Sequence, residues 1–138
     1  MILGHNAIKR MIEEKKLVIT PMHEDTIREC GVDLRLYSDI AIPPLTHRNL
    51  WTMEWIELPI DLMGFCNLRS TYARKGLIIP STVIDPCFVG HLVIEVFNAN
   101  AHEVKLNTGE RFLHVVFARV EDAIPYFGQY QYQKPVKF

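Results

Sequence analysis

Two carboxylates stand out in the stretch VIDPCFVGHLVIEVFN: Asp85, which opens an Asp-Pro turn, and Glu95, which lies between Val93 and Phe97 on an apolar strand. Alternate side chains of a strand share a face, so Glu95 goes with His91, Val93 and Phe97, and Leu92, Ile94 and Val96 take the other. If both faces are covered, the Glu95 carboxylate is held out of water, where such a group can trade protons near neutral pH. The plainer reading is an exposed glutamate, or one ion-paired to a neighbouring strand, because structural pairs also put acids into sheets. Asp85 reads first as a turn former that bonds its own backbone. Phe88, just before Gly90, reads first as hairpin packing.

A second group of chemically able residues is RSTYARKG, from Arg69 to Gly76. Ser70 is a candidate N-cap and Gly76 a stop, which predicts one or two helical turns between strands. The free N–H groups at the start of such a turn, with Arg69 and Arg74, would suit an anion. A capping serine and a surface cation are the plain alternative. Ser70 has no GxSxG context, which removes the hydrolase nucleophile elbow. Pro86-Cys87 begins like half of the zinc-deaminase signature, but Gly90 stands where the next cysteine belongs and no H-x-E occurs. The six histidines form neither an HExxH nor an H-x-H cluster.

These residues need a scaffold, and the rest of the chain predicts an all-β one. The 138 residues suffice for a single domain, 1–138, with its own core. Apolar residues make up 49% and charged residues 22%, as in ordinary globular proteins. A net charge of -1 offers no basic field to nucleic acid. Three cysteines without a CxxC pair argue against a disulfide framework and fit a reducing cytoplasm. The N-terminus is not patterned as a signal peptide, and no apolar run is long enough to cross a bilayer, so no membrane partner is expected.

One amphipathic helix is predicted over Asn6–Lys15, with Ala7, Ile8, Met11 and Ile12 on one stripe. Short strands follow near residues 17–19, 31–37, 39–42, 50–58, 62–68, 76–79, 90–97, 103–106 and 111–120, punctuated by Pro, Gly and Asn. That spacing indicates a sandwich or barrel-like β domain. The aromatic, polar segment from Pro125 onwards, residues 125–138, has no period. It suits either a loose end or a segment that orders over a ligand.

The order of the blocks is more telling than any one of them. CGVDLRL from Cys30, LRSTYARKGL from Leu68, VIDPCFVGHLVIEVFN from Val83 and GERF from Gly109 together resemble the dCTP deaminase branch of the dUTPase superfamily. The likeness runs over nearly the whole chain, and the tail from Pro125-Tyr126 to Gln133 is similar to the family's closing segment. The resemblance implies a distorted jelly roll with a short N-terminal helix. It also implies a homotrimer with active sites between subunits, and a deoxynucleoside triphosphate substrate whose phosphates carry Mg²⁺.

Carried across by motif, Glu95 stands at the catalytic glutamate that activates water for attack on cytosine C4. Ser70 and Arg74, supplied by the neighbouring subunit, would position that water and steady the developing charge. Asp85 would bond the deoxyribose 3′-hydroxyl, with Phe88 beside the sugar. Arg69 and Thr71 would belong to the phosphate segment, Val93 and Ile94 would offer backbone groups to the base, and Tyr126 and Gln133 would reach the phosphates. No zinc is implied. The chain departs from the family pattern at Leu68, Ser81, Cys87 and Gln129.

The resemblance therefore implies a dCTP deaminase that makes dUTP and ammonia for pyrimidine deoxynucleotide metabolism. A dUTP diphosphatase, or a bifunctional enzyme giving dUMP and pyrophosphate, is the alternative, because both leave Asp85 and Glu95 in place. A non-catalytic nucleotide-binding protein on the same fold is the third reading, prompted by the departures. The sequence leaves open whether dTTP binds as an inhibitor.

Overall fold

The computed structural model describes residues 1–135. The first helix, α1 (His5–Glu13), buries Ile8 and Met11. Ala7 and Ile12 pack beside them, so the predicted stripe faces the core. Eleven strands and one more short helix follow. In chain order they are β1 (Val18–Thr20), β2 (Ile27–Arg28), β3 (Gly31–Arg35), β4 (Ile40–Ile42), β5 (His47–Glu57), β6 (Leu62–Leu68), α2 (Ser70–Ala73), β7 (Leu77–Ile78), β8 (Thr82–Ile84), β9 (Val89–Asn98), β10 (Val104–Leu106) and β11 (Arg111–Arg119).

The strands form a four-stranded sheet in the order β1-β5-β9-β7, a five-stranded sheet in the order β2-β3-β11-β6-β8, and the β10-β4 pair. All pairings are antiparallel. Sequence neighbours are mostly not sheet neighbours, which is the crossing pattern of a distorted jelly roll. Between the sheets lies one apolar core, with Ile8, Leu34, Leu50, Ile94, Phe112 and Phe117 fully enclosed. Its burial is the main driving force for the fold. Among the described residues no helix is long and apolar enough to cross a membrane.

Two strands escape the sequence pattern. β2 and β8 have two and three residues, too few for an alternation to be read. α2, with four residues, is about one turn, within the one or two turns expected. Arg69, not Ser70, is its N-cap residue, with an extended backbone and no side-chain cap bond.

The longest pairing, β5 with β9, is interrupted where it matters for the site. Trp51 pairs with Val93 and Trp55 with His91, so Thr52, Met53 and Glu54 stand against Leu92 alone. This bulge is stitched from inside. Thr52 Oγ1 accepts the Leu92 N–H at 2.9 Å and donates to the Glu54 carbonyl at 3.0 Å. Bulges of this kind bend a strand and re-aim its side chains. Glu54 points inward, fully buried, and its two carboxylate oxygens accept the Arg35 backbone N–H at 2.9 and 3.2 Å. Burial pushes its carboxyl up to about 7, against the opposing effect of that N–H.

Candidate active site

The outer face of β5 and β9 and the turn between β8 and β9 border a cavity of about 850 Å³. Six of the candidate site residues line it, Asp85, Phe88, Val93, Glu95, Tyr126 and Gln133, and so does Ser81, one of the departures from the family pattern. Each is held there for a local reason. The Asp-Pro turn closes with the Phe88 N–H donating to the Asp85 carbonyl at 3.1 Å, which leaves the Asp85 side chain exposed at the rim. At the next residue but one, Cys87 adopts φ 67°, a left-handed conformation that an L-residue enters at a cost. Phe88 is buried and its ring sits 5.9 Å from that of Tyr126.

Glu95 does not lie on a dry face. Val89, His91 and Val93 on that side of β9 are half-buried, and Glu95 and Phe97 are exposed. The inward side carries Leu92, Ile94 and Val96 into the core. The plainer reading, an exposed glutamate, therefore holds within a single chain, because nothing in the described residues covers this end of the sheet. The Glu95 carboxylate is nevertheless felt by its surroundings. Burial, and secondarily the Glu95 charge, push the Cys66 thiol up to about 12, so Cys66 stays protonated and inert; it borders a separate hollow and does not line this cavity.

Ile94 directs its side chain into the core, so only its backbone is available to a ligand. The edge of β9 away from β5 pairs with β7 at Phe97 and Asn98. Gln133 bonds the backbone of His91 on both sides, accepting its N–H at 2.9 Å and donating from Nε2 to its carbonyl at 2.8 Å. The stretch from Leu92 to Val96 lies between these two ties, with no strand partner on that edge among the described residues.

The tail is docked on its own chain. Gln131 accepts the Val89 N–H at 2.8 Å and donates to the Cys87 carbonyl at 2.9 Å, and Tyr132 N–H donates to the Val89 carbonyl at 2.7 Å. Gly90 makes this close approach possible: it has φ +148°, and a Cβ there would stand 3.0 Å from the Gln133 carbonyl oxygen. Gln131, absent from the sequence reading, is thus a structural clasp of the tail. Only its contact with the Asp85-to-Gly90 turn reveals it.

The RSTYAR segment is elsewhere. Ser70, Thr71 and Arg74 are exposed on α2 and do not line the cavity. Arg74 borders a separate surface hollow with Lys75 and His102. Arg69 is held from below: its Nε lies 3.3 Å from Asp33 Oδ2 and its Nη1 donates to the Arg111 carbonyl at 2.9 Å. Asp33 itself is buried and also meets Arg111 at 3.4 Å and His114 Nδ1 at 2.8 Å. Tyr72 fastens the other side of α2 by donating to Glu110 at 2.8 Å. A rigid base thus presents Ser70 and Arg74 outwards, away from the cavity of the same chain.

The structure adds Asn49, Trp51 and Tyr130 to the cavity lining. Among the described residues no three His, Cys, Asp or Glu side chains converge as a set of metal ligands.

Comparison with known proteins agrees with this architecture. A dCTP deaminase-like family model matches residues 50–120. A protein of Sulfolobus islandicus rod-shaped virus 1, named as a probable deoxyuridine 5'-triphosphate nucleotidohydrolase, is 48% identical over 99% of this chain and 96% of its own. A dCTP deaminase of Acidianus ambivalens is 40% identical over 99% of this chain and 95% of its own. Among solved structures, the 2'-deoxycytidine 5'-triphosphate deaminase of Agrobacterium tumefaciens superposes with a TM-score of 0.73 at 18% identity. It covers 86% of this chain, which spans 48% of that longer one. An EIAV dUTPase superposes with a TM-score of 0.66 at 24% identity, covering 82% of this chain and 98% of its own. At those identities the structures speak for the fold, and the sequence relatives carry the assignment: this chain belongs to the dCTP deaminase-like family, among the enzymes of the dCTP deaminase and dUTPase group.

Proposed function

We propose that the protein hydrolyses dCTP to dUTP and ammonia. The observation that carries the reading is Glu95, a carboxylate without a protein hydrogen-bond partner among the described residues, open to the same cavity as Asp85 and Phe88. In this reading Asp85 accepts the sugar 3′-hydroxyl and Phe88 packs beside the ring of the sugar. The unpaired edge of β9 at Val93 and Ile94 offers backbone groups to the base.

Glu95 takes a proton from a water held against it, and the oxygen of that water attacks cytosine C4. Glu95 passes that proton to N3, then carries the proton of the new C4 hydroxyl to the amino group. The C4–N bond breaks, the C4 carbonyl forms and ammonia leaves. A positioned base of this kind is within the ordinary reach of general acid–base catalysis. Donors aimed at the charge that builds on the ring come from Ser70 and Arg74. Mg²⁺ belongs to the substrate, carried on its phosphates, with Arg69, Thr71, Tyr126 and Gln133 near that end.

The exposed position of α2, away from the cavity of its own chain, supports a homotrimer in which Ser70 and Arg74 serve a neighbour's cavity. Two exposed apolar cross-strand pairs, Phe65 with Val83 and Ile78 with Phe97, offer surface for that contact. Packing by a second copy would also supply the dryness around Glu95 that the single chain lacks.

A second reading is hydrolysis of dUTP to dUMP and pyrophosphate, alone or after deamination. It is favoured by the 48% identity to the viral relative, with Asp85 activating water at the α-phosphate. Incubation with dCTP and with dUTP, each with Mg²⁺, separates the two by their products. Deamination predicts ammonia and dUTP from dCTP, abolished in Glu95→Gln with triphosphate binding retained. Brisk dUMP from dUTP with no ammonia from dCTP refutes it. Mixing Glu95→Gln with Arg74→Ala tests the shared site: random trimers restore activity to about a quarter of the sites, where neither defect falls. No recovery on mixing, despite subunit exchange, overturns the shared site.

A further inference from the structure

We propose that Asn49 reads the substituent on C4 of the pyrimidine and sets how far the site admits uracil beside cytosine; this rests on the cavity being a pyrimidine nucleotide site. Asn49 is the register partner of Glu95 across β5 and β9, and both line the cavity. Directly opposed residues of an antiparallel pair hold their Cβ atoms about 5 Å apart on one face. One planar edge of a base can therefore meet both end groups. The next pair along, Trp51 with Val93, also lines the cavity and offers the ring an apolar wall.

The Asn49 amide is unengaged. The other strand asparagines donate their amides to protein carbonyls, Asn67 to Phe65 at 3.2 Å and Asn98 to Ile42 at 2.9 Å. Asn49 has no such bond among the described residues and is exposed. An amide that stabilises the strand would be tied down; this one is presented to the cavity.

The hydrogen-bond chemistry gives it a task. An ionised Glu95 only accepts, so it pairs with the amino group of cytosine and repels the O4 of uracil. Asn49 both donates and accepts. Its oxygen accepts from the cytosine amino group, and its nitrogen donates to uracil O4, offsetting the repulsion from Glu95. Sites built to bond a polar substituent reject the analogue that leaves their groups unpaired.

The test compares binding of the α,β-imido analogues of dCTP and dUTP, whose phosphates resist cleavage, to the wild type, Asn49→Asp and Asn49→Leu, read by stopped-flow mixing before the cytosine can be deaminated. Melting temperature and assembly state are measured alongside. Asn49→Asp is expected to raise the preference for the dCTP analogue about tenfold or more. Asn49→Leu removes both amide groups, but the cytosine amino group keeps Glu95 as acceptor while uracil O4 loses its donor, so the preference moves in the same direction. A preference unmoved within about twofold in folded Asn49→Leu, with both analogues still bound, overturns the role of Asn49 and leaves the nucleotide reading standing. A wild type that binds neither analogue overturns both.

Discussion

Glu54→Gln tests the most unusual ionisable group in the fold. Glu54 is fully buried, and its carboxyl is pushed from 4.5 up to about 7 by burial, against the Arg35 N–H that favours the charged form. A carboxyl with a raised native pKa binds a proton more tightly folded than unfolded. Its contribution to stability is therefore complete below pH 4.5 and is lost as the pH climbs through about 7. At about 1.4 kcal/mol per pH unit of displacement, the loss approaches roughly 3 kcal/mol on the alkaline side. Most of it, about 2.5 kcal/mol, develops between about pH 5 and pH 8. Glutamine has the same shape and keeps an oxygen for the Arg35 N–H, but has no charge to bury.

Relative to wild type, Glu54→Gln should thus be near neutral at pH 5 and more stable by about 2.5 kcal/mol at pH 8. For a chain of this size that is a rise in melting temperature of roughly 8 °C. The assay is thermal and urea unfolding of both proteins from pH 5 to pH 8, at one fixed protomer concentration because assembly adds to stability. A difference that does not change with pH would show that Glu54 is charged at no cost inside the β5 bulge, and would refute the reasoning.

Gly90→Ala should dislodge the tail, since the new Cβ would meet the Gln133 backbone at 3.0–3.1 Å and the residue has φ +148°. A cost of about 2 kcal/mol localised there predicts at least tenfold faster chymotrypsin cleavage at Tyr130 and Tyr132, with the core unaffected in hydrogen exchange. Asp33→Asn leaves Arg69 and Arg111 facing a neutral group in a buried place. Because those arginines are partly solvated, the expected loss is about 2 kcal/mol rather than the full cost of a broken buried pair, read by urea unfolding, with faster exchange of α2 amides. Cys87→Gly relieves a left-handed L-residue while adding freedom to the unfolded chain; the balance is a gain of about 0.5 kcal/mol, and a loss of stability would contradict it.

Much of this molecule is legible along the chain. The α1 stripe and strands such as β6 and β11 follow from hydrophobic period, because short-range alternation is dictated by which face must be buried. The IDPCFVGHLVIEVF block and the tail likewise marked Asp85, Phe88, Val93, Glu95, Tyr126 and Gln133, which share one cavity. The resemblance also marked Ser70 and Arg74 as residues for a neighbour's site, but the packing that turns α2 away from its own cavity was not legible in the sequence. That depends on Asp33 and Glu110 reaching Arg69 and Tyr72 across more than thirty positions of chain.

Other features were settled only by the packed fold. Whether Glu95 is dry depends on what lies over the outer face of β9, and one chain leaves it open. Asn49 stands opposite Glu95 because the bulge at Thr52, Met53 and Glu54 shifts the register of two strands far apart in sequence. A strand's period tells which side chains share its face; it carries no information about which residue of a distant strand comes to rest beside them. That pairing is set by the core as a whole. The sequence by itself thus determined the element types and the residues able to do chemistry, and the tertiary structure alone decided which of them meet.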